Sequence, residues 1–239
     1  MKINYDLTII VPVYNEEENL SRLGQELSAF LNQSKTKAKV LFVNDGSTDY
    51  SASLIESICG NNEAFNFIHL KNNKGLSTAL KAGIDQIDTK FTGYIDADLQ
   101  TSPADFDKLM EFADDFEMVT GIRINRKDNL LKRLSSSIAN SIRRSVTRDG
   151  VSDTGCPLKI IRTETAKRIP FFNGMHRFLP ALVQTDGGKV KEVPVNHYQR
   201  LAGKSKYYLW NRLFGTIVDL CAFCWMKRNY IRYEIISKG

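Results

Sequence analysis

Tyr94-Ile95-Asp96-Ala97-Asp98-Leu99-Gln100 is the stretch on which the reading of the chain turns. It begins inside an apolar run, Phe91 to Ile95, and ends in two carboxylates and an amide. A buried strand that stops in acid is what an open α/β sheet offers a ligand at its carboxyl edge. Asp96 and Asp98 are two residues apart, so they share a face if the strand continues and converge on one ion if it turns. Two carboxylates with few other ligands suit a hard divalent cation that also takes oxygens from a substrate phosphate. The blander reading of the same residues is an acidic turn before a helix, with Ser102 as N-cap and Pro103 at the first helical position.

Upstream, strands and helices alternate. Leu7 to Val13 reads as a buried strand with Pro12 near its end, a tolerable place for proline. Asn15 is expected to cap a helix that opens with Glu16, Glu17 and Glu18, the favourable charge for a helix N-terminus. Its Leu20, Leu23, Leu27, Phe30 and Leu31 keep helical spacing. Val40 to Val43 is a second strand, and it runs into Asn44-Asp45-Gly46-Ser47-Thr48-Asp49. Gly46 permits a turn there, and Ser47 or Thr48 is expected to cap the next helix. Phe65 to Leu70 is a third strand; the polar loop 71–75 and a helix to about Ile87 lead to the central one. This alternation implies an α/β fold with a Rossmann-like, mostly parallel sheet and helices on both faces. Tyr14, Glu16, Asn44, Asp45, Asp96 and Asp98 then fall on the ligand-binding edge. A nucleotide fits that edge. The first strand is not followed by Gly-x-Gly-x-x-Gly, which argues against a dinucleotide oxidoreductase, and there is no Walker loop.

At 239 residues the chain has the bulk for a real core. Four cysteines at this length make no disulfide framework, which points to a reducing compartment. Cys221 and Cys224 form one Cys-x-x-Cys among apolar residues, without the second pair or nearby histidine of a zinc site. The N-terminus shows no signal-peptide pattern. No stretch has the roughly 18 uninterrupted apolar residues of a spanning helix, and Leu209 to Met226 is broken by Asn211, Arg212 and Asp219. The expectation is a cytoplasmic protein, free or lying on a membrane surface.

Met118 to Ile122 reads as a fifth strand. From Gly121 to Arg148 there are eight basic residues and one acid, Asp128, over a helical apolar stripe from Leu130 to Val146. Such a stretch is either a solvated face over a core or a surface for anionic lipid. Asp153-Thr154-Gly155-Cys156-Pro157-Leu158-Lys159 leads into a short strand ending at Ile161, and Val193 to Tyr198 alternates like another strand. The basic, glycine-containing loop Gln199 to Lys206 can wrap a diphosphate. Tyr207 to Tyr230 is apolar and aromatic, with Lys227 and Arg228 near its end. The net charge of +6 alone does not make a nucleic-acid binder, since no aromatic-basic surface motif accompanies it.

Taken together, Val11-Pro12-Val13-Tyr14-Asn15-Glu16, Val43-Asn44-Asp45-Gly46-Ser47-Thr48-Asp49, Asn73-Lys74-Gly75-Leu76-Ser77-Thr78-Ala79 and Asp96-Ala97-Asp98-Leu99-Gln100 resemble glycosyltransferase family 2, whose fold is the GT-A nucleotide-diphospho-sugar domain. Asn44 stands where many members carry Asp. The second half resembles the branch of dolichyl-phosphate mannose synthases and bacterial polyprenyl-phosphate sugar transferases, through Arg200-Leu201-Ala202-Gly203-Lys204-Ser205-Lys206 and through Arg133 followed by Ser137. The Gln-x-x-Arg-Trp of processive polysaccharide synthases is missing. The resemblance implies a GT-A domain over 1–205, with a donor half to about 120 and an acceptor half over 121–205, followed by an amphipathic helical extension over 206–239.

By that resemblance, Pro12, Tyr14 and Glu16 hold the nucleoside and Asp45 meets the base or ribose. Asp96, Asp98 and Gln100 organise Mg²⁺ or Mn²⁺ on the diphosphate, and Arg200 and Lys206 neutralise it further. Arg123, Arg133 and Ser137 bind an acceptor phosphate. The implied reaction is inverting transfer of a sugar from a UDP- or GDP-linked donor to a polyprenyl phosphate, by a membrane-peripheral protein on the cytoplasmic face. An anionic membrane surface is an expected partner, a homo-oligomer is a further option, and nucleic acid is not expected. If the acceptor were instead a saccharide hydroxyl, as in capsule or lipopolysaccharide assembly, Asp153 would be the candidate base. A nucleotide-sugar-binding protein without activity is the reading from another class, and the intact Asp96 and Asp98 speak against it. His197, on an alternating strand near Arg200, reads as structural or as a phosphate contact; His176 has no assigned role.

Overall fold

The computed structural model describes residues 4–124, 143, 145–199, 209–231 and 236–237, with the backbone alone for 209–216. Arg133, Ser137, Arg200 and Lys206, with most of the basic stretch and its apolar stripe, lie outside the described residues.

Seven strands form one sheet: β1 (Leu7–Val13), β2 (Ala38–Asn44), β3 (Phe65–His69), β4 (Phe91–Tyr94), β5 (Met118–Ile124), β6 (Lys159–Arg162) and β7 (Val190–Asn196), in the order β3-β2-β1-β4-β6-β5-β7. β1 is parallel to both β2 and β4, and β5 is parallel to β7. β6 alone runs antiparallel, between β4 and β5. The chain winds outward through β2 and β3, then returns across β1 to β4. The order therefore reverses between β1 and β4, and the crevice at such a reversal is where open α/β sheets bind ligands. The seventh strand starts and stops earlier than the alternation alone suggests, because its register is set by pairing from Val190 on Met118 to Asn196 on Ile124.

Helices cover both faces. On one, α1 (Glu17–Gln33) buries Leu20, Leu23, Leu27 and Phe30 beside α2 (Ser51–Gly60) and α4 (Phe106–Met110). Each fully buried Leu contributes roughly 1.5–3 kcal/mol relative to exposure. On the other face lie α3 (Leu76–Asp85), α5 (Thr163–Arg168), α6 (Leu179–Thr185) and α7 (Leu209–Asn229). α7 docks through Phe223, which stacks on Phe178 at 5.2 Å between ring centroids. Arg177 pairs with Asp219, and Tyr230 Oη donates to Asp186 Oδ1 at 2.7 Å. The opposite side of α7 leaves Ile217, Val218, Cys221 and Trp225 exposed. Among the described residues no helix is long and apolar enough to cross a membrane.

Both expected caps are corrected. Asn15 does not cap α1: it sits at φ 52°, and its Oδ1 accepts from Thr48 N at 2.7 Å. Ser47 and Thr48 do not cap α2, which begins at Ser51. Asp49 serves both helices, its carboxylate accepting from Ser51 N at 2.9 Å and Glu17 N at 3.3 Å. Burial opposes ionisation of Asp49, but these hydrogen bonds outweigh it and hold its pKa below the ordinary value. A cap supplied by the neighbouring loop ties α1 to α2, and local sequence gives no sign of it. Ser102 does cap as expected, Oγ accepting from Ala104 N ahead of Pro103.

Candidate active site

The loops after β1 and β2 are laced together at the carboxyl edge. Asn15 N donates to Ser47 Oγ and Glu16 N to Ser51 Oγ, each at 2.9 Å. Pro12, Tyr14 and Glu16 are half-buried there, and Glu16 Oε2 accepts from Asn19 Nδ2 at 2.7 Å. Asp45 is buried. Its carboxylate accepts from Lys74 N at 2.9 Å, Gly75 N at 2.7 Å and Asn73 Nδ2 at 3.0 Å. Asp45 thus fixes the loop before α3, and most of its acceptor capacity is used in doing so. Gly46 is required beside it: at φ +65° its hydrogen faces the backbone of Asn72, where a Cβ would come within 2.6 Å. Asn44 Oδ1 accepts from Ser47 N at 3.0 Å, and its amide nitrogen lies 3.0 Å from His69 Nδ1.

One strand further on, β4 delivers Asp96 and Asp98 to the same edge. Tyr94 Oη donates to Asp96 Oδ1 at 2.5 Å, and Gln100 N donates to Asp98 Oδ1 at 3.1 Å. Leu99 at φ 58° makes the turn that folds Asp98 back. Burial, and then the charge of Asp98, push the pKa of Asp96 up to about 6, although Tyr94, Lys159 and Arg123 pull it down. Two carboxylates crowded this way are relieved by a cation between them. Among the described residues no third His, Cys, Asp or Glu completes a metal cluster. Two carboxylates at one strand end fit a hard divalent ion such as Mg²⁺ or Mn²⁺. Gln100 O accepts from Tyr198 N at 2.9 Å, which holds the segment after β7, including half-buried His197, against this edge.

On the far side of β6, Arg123 and Asp153 meet. Arg123 Nε donates to Asp153 Oδ2 at 2.7 Å, Nη2 to Oδ1 at 2.8 Å and its backbone N to Oδ2 at 3.2 Å. Glu192 Oε1 accepts from the backbone N of Ser152 and Asp153, fixing this loop to β7. A second residue of the basic stretch, Arg143, is buried in a pair with Asp149. Arg143 therefore belongs to the core, not to a cationic surface.

Two residues of this region escaped the sequence motifs. Lys159, the first residue of β6, is buried with its ammonium 5.7 Å over the Tyr94 ring. His176 Nδ1 lies 2.9 Å from Ser77 Oγ, which also accepts from Gly174 N at 3.1 Å. Burial, aided by Arg177 and Lys159, pushes the His176 pKa down to about 3, so the ring stays neutral. The nearest signal in the sequence was a lone basic residue opening an apolar strand, which reads equally well as a flank.

Over residues 8–170 the sequence matches the family described as Glycosyl transferase family 2. The chain belongs to glycosyl transferase family 2. It is 31% identical over 233 residues to the dodecaprenyl-phosphate galacturonate synthase of Rhizobium johnstonii, covering 95% of this chain and 69% of that protein. It is also 31% identical over 216 residues to the undecaprenyl-phosphate 4-deoxy-4-formamido-L-arabinose transferase of Edwardsiella ictaluri, covering 90% of this chain and 66% of the relative. The chain thus spans about two-thirds of the length of these relatives. Among solved structures, the glucosyl-3-phosphoglycerate synthase of Mycobacterium tuberculosis, in complex with Mn²⁺, UDP-glucose and phosphoglyceric acid, superposes with a TM-score of 0.71. That match covers 95% of this chain and 81% of the other at 12% identity, a likeness of fold, and the fold is GT-A. The family and the α/β architecture expected from the motifs are both borne out.

Proposed function

We propose that this glycosyltransferase moves a sugar from a UDP- or GDP-linked donor to a polyprenyl phosphate, with inversion at the anomeric carbon. The observation that carries this reading is the Arg123–Asp153 pair, standing across β6 from the Asp96–Asp98 edge. A carboxylate held bidentately by a guanidinium is a weak base. A hydroxyl acceptor needs a base; a phosphate monoester, with a second pKa near ~6, is already mostly dianionic at neutral pH. The relatives of this chain are named for polyprenyl-phosphate acceptors, which supports the same choice.

In the proposed reaction an acceptor phosphate oxygen attacks the anomeric carbon while the bond to the donor's β-phosphate breaks, and the nucleoside diphosphate departs with the bonding pair. Pro12, Tyr14 and Glu16 hold the nucleoside, and Asp45 acts beside them by fixing the loop 73–75. Asp96, Asp98 and Gln100 would hold Mg²⁺ or Mn²⁺, which would supply charge neutralisation for the leaving diphosphate. Arg200 and Lys206 add positive charge to it, while Arg123, Arg133 and Ser137 position the acceptor phosphate. Asp153 orients Arg123. The exposed apolar side of α7, flanked by Lys227 and Arg228, suits the inner face of an anionic membrane, where the lipid substrate resides.

The test is a panel of nucleotide sugars offered to purified protein with and without polyprenyl phosphate, and with and without chelator. Extractable glycolipid that requires both lipid phosphate and divalent ion is the expected result. Transfer to a soluble saccharide in the absence of lipid phosphate overturns the choice of acceptor.

A further inference from the structure

Between the Asp96 edge and the Arg123–Asp153 pair lies a buried cation that the reaction as described does not use. Lys159 opens β6 and, because that strand is antiparallel, its first residue sits at the carboxyl edge. The register places it beside Tyr94 of β4 and Thr120 of β5. Lys159 is only 2% exposed. Burial disfavours its charged form while the nearby Asp153 and Asp96 favour it, yet among the described residues no carboxylate lies within the 4.0 Å of an ion pair. Nor does it make a hydrogen bond there. The Tyr94 ring offers a cation–π contact, which does not replace a hydrogen bond to the ammonium.

Thr120 supplies a second, independent observation. It is fully buried, and its Oγ1 has no hydrogen-bond partner among the described residues. Two neighbouring strands thus present an unmatched ammonium and an unmatched hydroxyl from adjoining register positions. The great majority of buried polar groups are matched, and an unmatched pair at the carboxyl edge of the sheet has an explanation in a ligand that completes it.

We propose that Lys159 and Thr120 contact the transferred sugar itself, donating to its oxygen substituents, and that Lys159 helps decide which nucleotide sugar is accepted. This rests on the transferase reading above. Position selects the sugar over either phosphate. The donor diphosphate belongs at Asp96 and Asp98, the acceptor phosphate at Arg123, and the group in transit lies between them, where Lys159 stands. The chemistry agrees: the ammonium only donates, the threonine hydroxyl donates and accepts, and sugar oxygens complement both.

The experiment compares binding of UDP and GDP with binding of the accepted nucleotide sugar, by calorimetry, for wild type, Lys159→Met and Thr120→Val. The sugar's contribution is the ratio of the two affinities. Lys159→Met should bind the nucleoside diphosphate as wild type does while its affinity for the nucleotide sugar falls at least tenfold. Thr120→Val should show the same pattern with a smaller loss. The unliganded Tm of Lys159→Met should equal or exceed that of wild type, because an unmatched buried charge is removed. Unchanged sugar affinity in both variants overturns the assignment. An equal loss for the nucleoside diphosphate makes Lys159 a diphosphate contact and also overturns it. Wild-type protein that binds no nucleotide sugar overturns the transferase reading as well, whereas normal wild-type binding with normal variant binding sinks the Lys159 assignment alone.

Discussion

Arg123 and Asp153 form one unit, with Nε to Oδ2 at 2.7 Å and Nη2 to Oδ1 at 2.8 Å. The sequence motifs assign these residues to rival chemistries, a phosphate-binding arginine and a base for a hydroxyl acceptor. The geometry joins them. Removing the Arg123 guanidinium takes two charge-assisted hydrogen bonds from a mostly buried carboxylate, each worth roughly 1.5–3 kcal/mol. Arg123→Ala should therefore lower the denaturation midpoint as well as raise the acceptor KM. Asp153→Asn keeps an acceptor for Nη2 and should be milder in both. Near-total loss of transfer in Asp153→Asn, with a normal midpoint, would restore Asp153 as the base.

The crowding of Asp96 by Asp98 gives a second expectation. In the proposed reaction Asp98→Asn would remove a ligand from a hard ion, and it also removes the charge that helps raise Asp96. Sugar transfer should fall by tenfold or more, and nucleotide-sugar affinity should lose its dependence on Mg²⁺ or Mn²⁺. Titration of the metal against wild type and variant in the presence of nucleoside diphosphate checks this. Full turnover in excess chelator would contradict it.

The Asp45 tether is testable apart from catalysis. Asp45→Ala frees the backbone N–H of Lys74 and Gly75 and the amide of Asn73. Each buried donor left unsatisfied costs about 1–3 kcal/mol, less where water reaches the loop. Hydrogen exchange at residues 73–75 should accelerate, and nucleotide affinity should fall with it. Unaltered exchange in this loop would show that the tether is not what holds it.

His176 makes stability depend on pH. Its folded pKa lies near 3, against 6.5 in an exposed histidine. Between those values the unfolded chain takes up a proton that the native protein refuses. The contribution is complete above about pH 6.5 and is lost as pH falls toward 3, at up to about 1.4 kcal/mol per pH unit. Urea midpoints at pH 7 and pH 5 should therefore differ less in His176→Gln than in wild type. Parallel behaviour of the two proteins would mean that the ring titrates normally.

What the sequence made legible was short-range. Strands ended where apolar runs met Asn44-Asp45-Gly46 or Asp96-Ala97-Asp98, and a mostly parallel sheet followed from strands alternating with helices. The donor-side loops were legible for the same reason: each lies within a few residues of a strand end. What escaped was long-range. Asp49 capping Glu17, Asp153 gripping Arg123 and Ser77 meeting His176 join residues 32, 30 and 99 apart. Lys159 escaped because an apolar strand opened by a lysine looks the same whether that lysine faces solvent or the interior. Only the reversal of β6, which carries no local signal, puts it at the carboxyl edge beside Tyr94.

The two sides of α7 should separate folding from membrane binding. Phe223 is fully buried against Phe178, so Phe223→Ala removes a stacked aromatic from the core. Such truncations cost about 3–5 kcal/mol, a loss visible at once in the denaturation midpoint. Trp225, two residues on, is 71% exposed, and Ile217 and Val218 are each 58% exposed on the same outward side. Substituting them removes little that the fold uses. Trp225→Glu should leave the midpoint within experimental scatter while putting a charge into the surface proposed to meet lipid. Lys227 and Arg228 add attraction to anionic headgroups, which salt screens over roughly 10 Å at 0.1 M. Wild-type protein should sediment with vesicles containing anionic lipid, less so as salt rises, and Trp225→Glu should remain largely in the supernatant. Wild type that stays in the supernatant at low salt would sink the membrane assignment. Concentration-dependent light scattering that Trp225→Glu abolishes would instead make this side of α7 a contact between copies of the chain.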